Sequence, residues 1–495
     1  MSAQTWLRRL RLYGSYLKND SLRNNCFRLR YHVPVWHGEN WRASMTVSHA
    51  RRLKDAALCP KKRVAVLLSG EGQQAERDLE KQTVPPALVT GKAEETRGFP
   101  ICLHVRRDMA LSPQLVARVT AAAGKGKGKQ VIYADELYAD QGQLRPCLKP
   151  QWCPETFEQA DYIGPCYATV GIDAAWPLKK ALEEAERVTR IPKALTSVER
   201  AAEEDPAPPW HIHPVQRPLP AGKPLVSILM PTRDHVDMLR RCVESICRRT
   251  NWAYWELLLI DNGSTQKKTL AYFDQLSDPR IRVLHRPGPF NYARLNNDAA
   301  REAKGDYLLL LNNDMEVLDS GWMEALLRYA AAPDIGAVGG LLTYPNGTIQ
   351  HAGIALKMAY RAGHIFRGHR ADEAGYQHWI SLARNVSAVT GACLMVRREA
   401  WESVGGMDEA LAVAYNDVDF CLRLGQAGLR CVYTPACRVM HDESRSRGGD
   451  DSGAKQKRFR KEARLFERKW GKVLRQGDPC MNPGFCFDGE EIGFR

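Results

Sequence analysis

The stretch LVSILMPTRD, from Leu225 to Asp234, decides the fold of the second half of the chain. It opens with an apolar run bounded by prolines, which predicts a short strand that is buried on both faces. Residues 236–249 carry apolar side chains at helical spacing, so an amphipathic helix is expected to follow the strand. The polar residues Thr232 and Arg233 lie between the two elements. A strand followed by a helix is the unit from which parallel sheets are built.

The same pattern recurs further along the chain. The run YWELLLI ends at Ile260, IRVL follows it, and DYLLLL ends at Leu311, while a helix is expected over residues 291–303. Strands that alternate with helices predict an α/β domain with a mostly parallel sheet and helices on both faces. Ligands bind such sheets beyond the carboxyl ends of the strands. Polar residues gather at these ends, namely Asp261-Asn262 and Asn312-Asn313-Asp314.

Length and charge restrict the class of protein. The chain has 495 residues, enough for two or three domains, and 44% of them are hydrophobic. The net charge of +14 suits anionic partners such as nucleotide diphosphates and acidic lipid head groups, although it also fits an ordinary solvated surface. Nucleic-acid binding has only this net charge in its favour, so no nucleic-acid partner is expected.

Targeting signals are not expected either. No stretch approaches roughly eighteen uninterrupted apolar residues, so no transmembrane helix is predicted. The Arg-rich residues 1–30 have no apolar core of the kind that a secretory signal needs. The 14 cysteines include no CxxC pair, which indicates reduced thiols rather than a zinc site or a disulfide framework. A location in a bacterial-type cytoplasm is therefore predicted.

Asp314 closes the run LLLLNND and is a candidate metal ligand. When a bond to a nucleotide diphosphate breaks, negative charge gathers on the leaving diphosphate, and a divalent cation stabilises that charge. Mg²⁺ and Mn²⁺ prefer oxygen ligands, usually one or two carboxylates together with phosphate oxygens. A carboxylate at the end of a strand meets this need, although Asn and Asp also favour ordinary turns.

The order of several short motifs points to one family. PTRD, IDNGS, LLLLNND, VTGAC, GGMDE and YNDVDF follow one another between about residues 224 and 446. In this order and at these distances they resemble the family 2 glycosyltransferases, which have the GT-A nucleotide-sugar-binding fold. The resemblance implies an inverting enzyme that moves a sugar from a UDP-, dTDP- or GDP-sugar to a glycan or lipid-linked acceptor with the help of Mg²⁺ or Mn²⁺.

The resemblance also gives roles to single residues. It implies that the nucleotide sugar is bound by Thr232, Arg233, Asp234, Asp261, Asn291, Asn313 and Gly391. It implies Asp314 and His441 as metal ligands, and Asp417 as the base that takes the proton of the acceptor hydroxyl. Asn312 stands where the family has the first acid of an Asp-x-Asp motif, so weaker metal binding is expected.

Two further expectations concern residues around this site. Asp419 lies four residues before Arg423 in a predicted helix, so a structural ion pair is expected there. The polar segment from His351 to Arg384 is expected to form a mobile loop that meets the acceptor, with ordinary surface histidines as the alternative.

The first half of the chain carries an eroded copy of the second half. The segment that begins RRDM at Arg106 aligns with the segment that begins NNDM at Asn312, which matches Asp108 to Asp314. A later match joins YIGPCYATV to VTGACLMVR, and similarity by chance remains the alternative. Two arginines beside Asp108 would repel a cation, and the copy has no candidate base. A degenerate, non-catalytic module is therefore expected.

These observations divide the chain into five parts. They are a basic N-terminal extension (1–60), a degenerate glycosyltransferase-like α/β module (61–200), a proline-rich linker (201–223), a GT-A catalytic domain (224–446) and a basic C-terminal helix and tail (447–495).

Two basic segments favour peripheral attachment to the inner face of an anionic membrane. Residues 6–17 place four apolar side chains on one helical face amid arginines, and residues 455–475 place Phe459, Phe466 and Trp470 among many cations. The alternative is that both helices pack on the transferase core and expose only a charged face.

The expected function is sugar transfer in the synthesis of a bacterial surface polysaccharide, a setting that comes from the resemblance alone. A non-catalytic glycan- or nucleotide-binding scaffold is the alternative, and the retention of Asp261, Asp314 and Asp417 argues against it. A nucleotidyltransferase would need a basic, glycine-rich loop where this chain has PTRDHVD. A processive polymer synthase would add membrane helices and a QxxRW motif, which FERKW does not match.

Overall fold

A computed structural model describes residues 63–124, 128–140, 143–199, 212–442, 453–488 and 491–494. These residues form two α/β domains, each built on its own sheet, followed by a C-terminal helix and a hairpin. The basic N-terminal extension, including the predicted apolar face of residues 6–17, lies outside the described residues.

The first domain contains eight strands and four helices. Its strands are β1 (Val64–Ser69), β2 (Leu88–Thr90), β3 (Ile101–Arg106), β4 (Ala110–Leu111), β5 (Gln130–Asp140), β6 (Gln143–Cys147), β7 (Tyr167–Val170) and β8 (Arg187–Glu199). Its helices are α1 (Gln74–Leu79), α2 (Leu115–Gly124), α3 (Pro154–Gln159) and α4 (Leu178–Glu184). The strands lie in the order β2-β1-β3-β7-β5-β8-β4, and β6 pairs with β5.

The second domain continues the α/β pattern that the sequence predicts. Its strands are β9 (Val226–Thr232), β10 (Trp255–Asp261), β11 (Ile281–His285), β12 (Tyr307–Leu311), β13 (Met315–Val317), β14 (Ile335–Thr343), β15 (Ile349–His351), β16 (Ile354–Leu356), β17 (Ala362–His364), β18 (Arg384–Val386), β19 (Cys393–Arg397) and β20 (Arg430–His441). Its helices are α5 (Val236–Arg249), α6 (Lys267–Gln275), α7 (Tyr292–Glu302), α8 (Trp322–Ala330), α9 (Arg398–Ser403) and α10 (Asn416–Gln426). A long helix, α11 (Gly453–Gln476), and the hairpin of β21 (Phe485–Asp488) and β22 (Glu491–Phe494) follow.

The large sheet of the second domain is buried on both faces. Every residue of β9, β10 and β12 is buried, as expected for strands that are apolar throughout. Alternate side chains point to opposite faces, so Ile228 packs in one hydrophobic cluster and its neighbour Leu229 in the other. The strand order is β11-β10-β9-β12-β19-β14-β20-β13, and the first four strands are parallel. The predicted α/β class is confirmed.

The two sheets repeat one topology. Along the second sheet, after the parallel strands, β12 and β19 are antiparallel, β19 and β14 are antiparallel, β14 and β20 are parallel, and β20 and β13 are antiparallel. The first sheet shows the same sequence of pairings from β3 through β7, β5 and β8 to β4. Bulges interrupt both the β5–β8 and the β14–β20 ladders. Among the residues that the structure describes, the first sheet has no counterpart of the edge strand β11.

The strand register repeats as well. Ile101 lies opposite Val170 in the first sheet, and Tyr307 lies opposite Arg397 in the second. These are the pairs that the sequence alignment of the two halves predicts, because it matches Ile101 to Tyr307 and Val170 to Arg397. Two independent matches in sequence thus meet in one pair of hydrogen-bonded strands.

Helix α3 of the first domain docks on the second domain through a buried carboxylate. Glu155 is only 1% exposed, and its oxygens lie 2.6 and 3.1 Å from the guanidinium nitrogens of Arg430 in β20. Arg217 adds a contact at 3.2 Å. Burial is the largest single effect and opposes ionisation of Glu155. The hydrogen bonds and charge of Arg430, together with the charge of Arg217, outweigh it and hold the pKa of the carboxyl below its ordinary value. The neighbouring Thr156 hydroxyl donates to the carbonyl of Ala383.

Both ends of the segment from His351 to Arg384 are buried, whereas residues 372–375 between them are exposed, and the mobile acceptor loop stays a prediction. Leu382 is fully buried, and Arg384 is 4% exposed. The Arg384 guanidinium donates to the carbonyls of Trp379 and Ala352, and burial lowers its pKa to about 10. The first domain covers the end of this segment, because the Thr156 hydroxyl donates to the carbonyl of Ala383 and the Tyr376 hydroxyl accepts from the N–H of Leu148.

We expect that replacing Glu155 with Gln destabilises the chain by about 1–3 kcal/mol, because a buried carboxylate loses its charge-assisted contacts with Arg430 and Arg217. Urea unfolding followed by tryptophan fluorescence measures the effect. The control is Glu158→Gln in the same helix, whose half-exposed carboxylate also pairs with Arg217. Equal shifts for the two variants would show that the buried position carries no special weight.

Candidate active site

The polar ends of β9, β10 and β12 meet at one edge of the second sheet. The Asn313 side-chain amide donates to the hydroxyl of Thr232 at 2.9 Å, and both residues are buried. The backbone N–H of Asn262 donates to the carbonyl of Thr232 at 2.9 Å. The three loops are therefore joined directly, as the sequence predicts for the carboxyl ends of parallel strands.

Asp261 presents a buried carboxylate at this edge. It is 3% exposed, and one oxygen accepts from the backbone N–H of Ser264 at 2.9 Å. The other oxygen lies 3.0 Å from Nδ1 of His285, a largely exposed side chain that the sequence analysis missed. Each carboxylate oxygen can accept a second hydrogen bond, so Asp261 and His285 together offer an edge to a polar ligand.

Asp234 is hydrogen-bonded within the protein, whereas its neighbour Arg233 is exposed. One oxygen of Asp234 accepts from the backbone N–H groups of Thr265 and Gln266, each at 2.8 Å. Burial opposes its charge, but these bonds hold the pKa of Asp234 below its ordinary value. Asp234 thus ties two loops together, whereas Arg233 is exposed beside them.

Asp314, directly before β13, lies beside His441, the last residue of β20. Both are buried, and Asp314 Oδ1 lies 3.0 Å from His441 Nε2. The side-chain oxygen of Gln350 lies 2.8 Å from His441 Nδ1. In the tautomer that carries its hydrogen on Nδ1, this N–H donates to Gln350 and Nε2 presents a lone pair to Asp314. Two acceptors at this separation repel each other unless a proton or a cation lies between them.

This pair fits a divalent cation. Neighbouring ligands of a cation bound at about 2.1 Å lie about 3 Å apart, which matches the Asp314–His441 contact. The described residues hold no cluster of three or more His, Cys, Asp or Glu side chains that could bind a metal. Further ligands would therefore be diphosphate oxygens and water, the arrangement that Mg²⁺ usually adopts with phosphate substrates.

Asp417 lies in the first turn of α10 and contacts Gly391. Its Oδ2 accepts from the Gly391 N–H at 3.0 Å, and its Oδ1 accepts from the Val418 N–H at 2.8 Å. The Gly391 carbonyl accepts from the hydroxyl of Tyr292 at 2.6 Å. A Cβ on Gly391 would stand 3.4 Å from the Tyr292 ring and 3.5 Å from Asp417, so the missing side chain leaves room beside the carboxylate.

One backbone hydrogen bond joins the segments that lead to Asp314 and from Gly391, which contacts Asp417. The N–H of Asn312 donates to the carbonyl of Ala392 at 3.0 Å. Asp314 lies two residues after Asn312, and Gly391 lies directly before Ala392. The Asp314–His441 pair and the Asp417 carboxylate therefore lie at the same edge of the sheet.

Asn291 has another task than the one the resemblance implies. Its side-chain oxygen accepts from the Arg294 N–H, which caps α7, and its amide nitrogen donates to the carbonyl of Glu409. Both polar atoms are thus used within the protein. Asp419, in contrast, pairs with Arg423 at 2.8 Å, which confirms its structural role.

Two of the histidines in the segment before Arg384, His351 and His364, also contact each other. The Nδ1 atoms of His351 and His364 are 3.0 Å apart. Burial lowers the pKa of His351 well below its ordinary value, so this ring is neutral at pH 7. His351 is an interior residue that follows Gln350 in β15.

The C-terminal helix α11 packs its apolar face on the second domain. Phe466 is fully buried, Trp470 is 3% exposed, and the Trp470 N–H donates to Asp419. The prediction that Phe466 and Trp470 contact a membrane is therefore wrong, and only Phe459 remains exposed. Among the helices that the structure describes, none is both long and apolar enough to cross a bilayer.

Known proteins share this sequence pattern. The model of the glycosyl transferase family 2 matches residues 227–405, and that of the glycosyl transferase family group 2 matches residues 341–476. The O-antigen biosynthesis protein RfbC of Myxococcus xanthus is 34% identical over 78% of this chain and 34% of its own length. The uncharacterized protein y4gI of Sinorhizobium fredii is 43% identical over 55% of this chain and 30% of its own length.

This chain spans about a third of the length of these two relatives. The N-acetylglucosaminyl-diphospho-decaprenol L-rhamnosyltransferase of Mycobacterium tuberculosis is 31% identical over 39% of this chain and 68% of its own length. The crystal structure of GalNAc-T7 with UDP, GalNAc and Mn²⁺ is 17% identical, with a TM-score of 0.41 over 55% of this chain and 53% of its own. From its sequence matches, the chain belongs to the family 2 glycosyltransferases, and its second domain has their GT-A fold.

Proposed function

We propose that this chain is a metal-dependent, inverting glycosyltransferase that moves a sugar from a nucleotide-diphosphate donor to a glycan or lipid-linked acceptor. The observation that carries the proposal is the joint placement of two groups at one sheet edge. Asp314 and His441 form a pair suited to a cation, and the Asp417 carboxylate lies across the Asn312–Ala392 hydrogen bond.

Asp314 and His441 would hold Mg²⁺ or Mn²⁺ through one oxygen and one nitrogen. When bound, the cation stabilises the negative charge that develops on the leaving diphosphate. Gln350 would orient the His441 ring by accepting a hydrogen bond from Nδ1, which leaves Nε2 to face the cation. Asn313 and Thr232, which are bonded to each other, would contact the ribose or the sugar from the neighbouring loop.

Asp417 would act as the general base. It would take the proton of the acceptor hydroxyl while that oxygen bonds to the anomeric carbon and the bond to the diphosphate breaks. The N–H groups of Gly391 and Val418 fix the carboxylate, and each oxygen keeps a further lone pair for the acceptor. The carboxylate also lies at the N-terminus of α10, where negative charge is favoured.

The nucleotide would lie over the ends of β9 and β10. Asp261, with His285 on one oxygen, would bind the base or ribose, and the exposed Arg233 would meet the diphosphate or ribose. Asp234 would support this surface by holding the two loops in place. We do not extend a ligand contact to Asn291, since its side chain caps a helix.

The setting that we propose is bacterial surface polysaccharide synthesis in the cytoplasm. Its support is the names of two relatives, an O-antigen biosynthesis protein and a rhamnosyltransferase that acts on a lipid-linked sugar. Because the chain spans about a third of the first of these, the setting is a proposal for this chain. A non-catalytic scaffold is the alternative. It would need neither the Asp314–His441 pair nor the Asp417 carboxylate beside it.

The first domain is proposed to be a second copy of the transferase fold without a donor site. Asp108 follows β3 as Asp314 follows β12, but the Arg106 guanidinium is bonded to it at 2.6 Å. The pairing of β4 with β8 places Val198 where the pairing of β13 with β20 places His441. A lone acid neutralised by an arginine cannot hold a divalent cation.

Attachment to an anionic membrane is retained only through the segment of residues 6–17, which lies outside the described residues. We expect the chain to sediment with vesicles of anionic lipid at low salt and to be released at high salt, because surface attraction is screened within about a Debye length. A chain without residues 1–30 is the comparison. Equal sedimentation of the two chains, or none by either, would contradict the proposal.

We expect Asp314→Ala to abolish donor binding that depends on Mn²⁺, since it removes one of two protein ligands. Calorimetric titration with UDP-, dTDP- and GDP-sugars, with and without Mn²⁺, measures this. Asp108→Ala, the matched change in the first domain, is expected to leave binding as it is. Unchanged donor affinity in Asp314→Ala would refute the metal assignment.

We expect Asp417→Asn to bind the donor normally but to hydrolyse it roughly a hundredfold more slowly, the usual scale for loss of a general base. Slow donor hydrolysis in the absence of acceptor is the assay, and the same panel of sugar nucleotides identifies the donor. Turnover within a few-fold of the wild type would make Asp417 a structural residue. No hydrolysis of any sugar nucleotide by the wild-type chain would count against the enzyme itself.

A further inference from the structure

The residue before the acidic turn of α10 has a strained backbone. Tyr415 has φ of 61° and ψ of 9°, the left-handed conformation that residues with a side chain avoid. It occupies the N-cap position of α10, yet its side chain makes no capping hydrogen bond. Such a conformation persists only where the surroundings enforce it, and Asp417 follows two residues later.

Helix α11 supplies the contacts that enforce this turn. The Glu462 carboxylate accepts from the backbone N–H of Ala414 at 2.6 Å and from that of Val413 at 3.3 Å. Glu462 is 3% exposed, so these bonds lie in the interior. The ring of Phe466 stacks on the ring of Tyr415 with centroids 4.8 Å apart and an angle of 17°.

Helix α11 also contacts the first turn of α10. Trp470 donates to Asp419 at 2.8 Å, and the Lys469 ammonium lies 2.7 Å from the same oxygen. Residues on both sides of Asp417 are therefore fixed by one helix. The carboxylate of Asp417 itself has no contact with α11 among its recorded hydrogen bonds, which run to Gly391 and Val418.

We propose that Glu462 is a positioning residue for the general base, and that α11 sets the orientation of Asp417 by holding the strained turn at residues 413–415. This inference rests on the proposed role of Asp417. A buried carboxylate that accepts two consecutive backbone N–H groups leaves the chain little freedom at the point where α10 begins. A small rotation of this turn would move the base out of reach of the acceptor oxygen.

The test compares Glu462→Leu and Glu462→Gln with the wild type by donor hydrolysis, which needs no acceptor. Glu462→Leu is expected to lower kcat at least about tenfold while the KM for the donor and its Mn²⁺-dependent affinity change less than about twofold. Glu462→Gln keeps one oxygen acceptor and should fall between the two. Glu467→Gln, the other acid of α11, is half-exposed and should behave as the wild type.

A double variant separates positioning from general damage. If Glu462 acts through Asp417, then Asp417→Asn combined with Glu462→Leu is no slower than Asp417→Asn alone, because the base is already lost. A further tenfold loss in the double variant, or an unchanged kcat in Glu462→Leu, would overturn the proposal. If Glu462→Leu fails to fold by circular dichroism, Glu462→Gln carries the same comparison.

The failure of this inference differs from the failure of the proposed function. An Asp417→Asn variant with wild-type turnover removes the base assignment itself. An Asp417→Asn variant that is slow, beside Glu462 variants that are not, leaves the base in place and removes only the positioning role. Hydrogen exchange gives a second test of the positioning role. Residues 408–419 should exchange faster in Glu462→Leu, and unchanged exchange there would contradict the proposal.

Discussion

The antiparallel pairing of Leu311 with Cys393 is the constraint on which the site depends. Strand β12 ends at the first of these residues and β19 begins at the second, so the chain leaving one strand lies beside the chain entering the other. The Asn312–Ala392 hydrogen bond follows from this, and it sets the Asp314–His441 pair next to Gly391, which contacts Asp417. A slip of one residue would turn every side chain of β12 to the opposite face. Because both faces are packed with apolar side chains, burial rather than the site itself holds the register.

The same strand pairing explains why the first domain keeps the fold of the second although the polar residues beyond its strands differ. The first sheet keeps the register of the second, and its core residues Val64, Val66 and Leu103 remain buried. Packing depends on apolar side chains within the strands, whereas ligand binding depends on a few polar residues just beyond them. Exchange of those polar residues leaves the hydrophobic free energy of folding almost unchanged. What the first domain still provides is a surface, and Glu155 with Thr156 uses it to cover the segment that leads to Gly391.

Sequence alone was sufficient wherever the partners are local or the pattern is periodic. The apolar runs predicted β9, β10 and β12, the helical spacing predicted α5 at its observed bounds, and four-residue spacing predicted the Asp419–Arg423 pair. It missed Gln350, Tyr292 and Glu462, whose partners lie 91, 99 and 48 residues away. No periodicity records contacts over such distances. For Asn291 the sequence could not separate a helix cap from a ligand contact, because both favour the same residue type, and the ligand contact stays a prediction.

The C-terminal helix shows why an amphipathic pattern does not name its partner. A bilayer and a protein core are both apolar, so the aromatic face of α11 fits either. The indole N–H decides, because a buried donor needs an acceptor, and Trp470 finds one in Asp419. If this face entered a membrane, Phe466 and Trp470 would leave the core and release the turn that precedes Asp417. A membrane contact made through that face is therefore incompatible with an ordered turn before Asp417, the proposed general base. The cations on the outer face can attract anionic head groups only by Coulomb forces, without help from the aromatic residues beneath them.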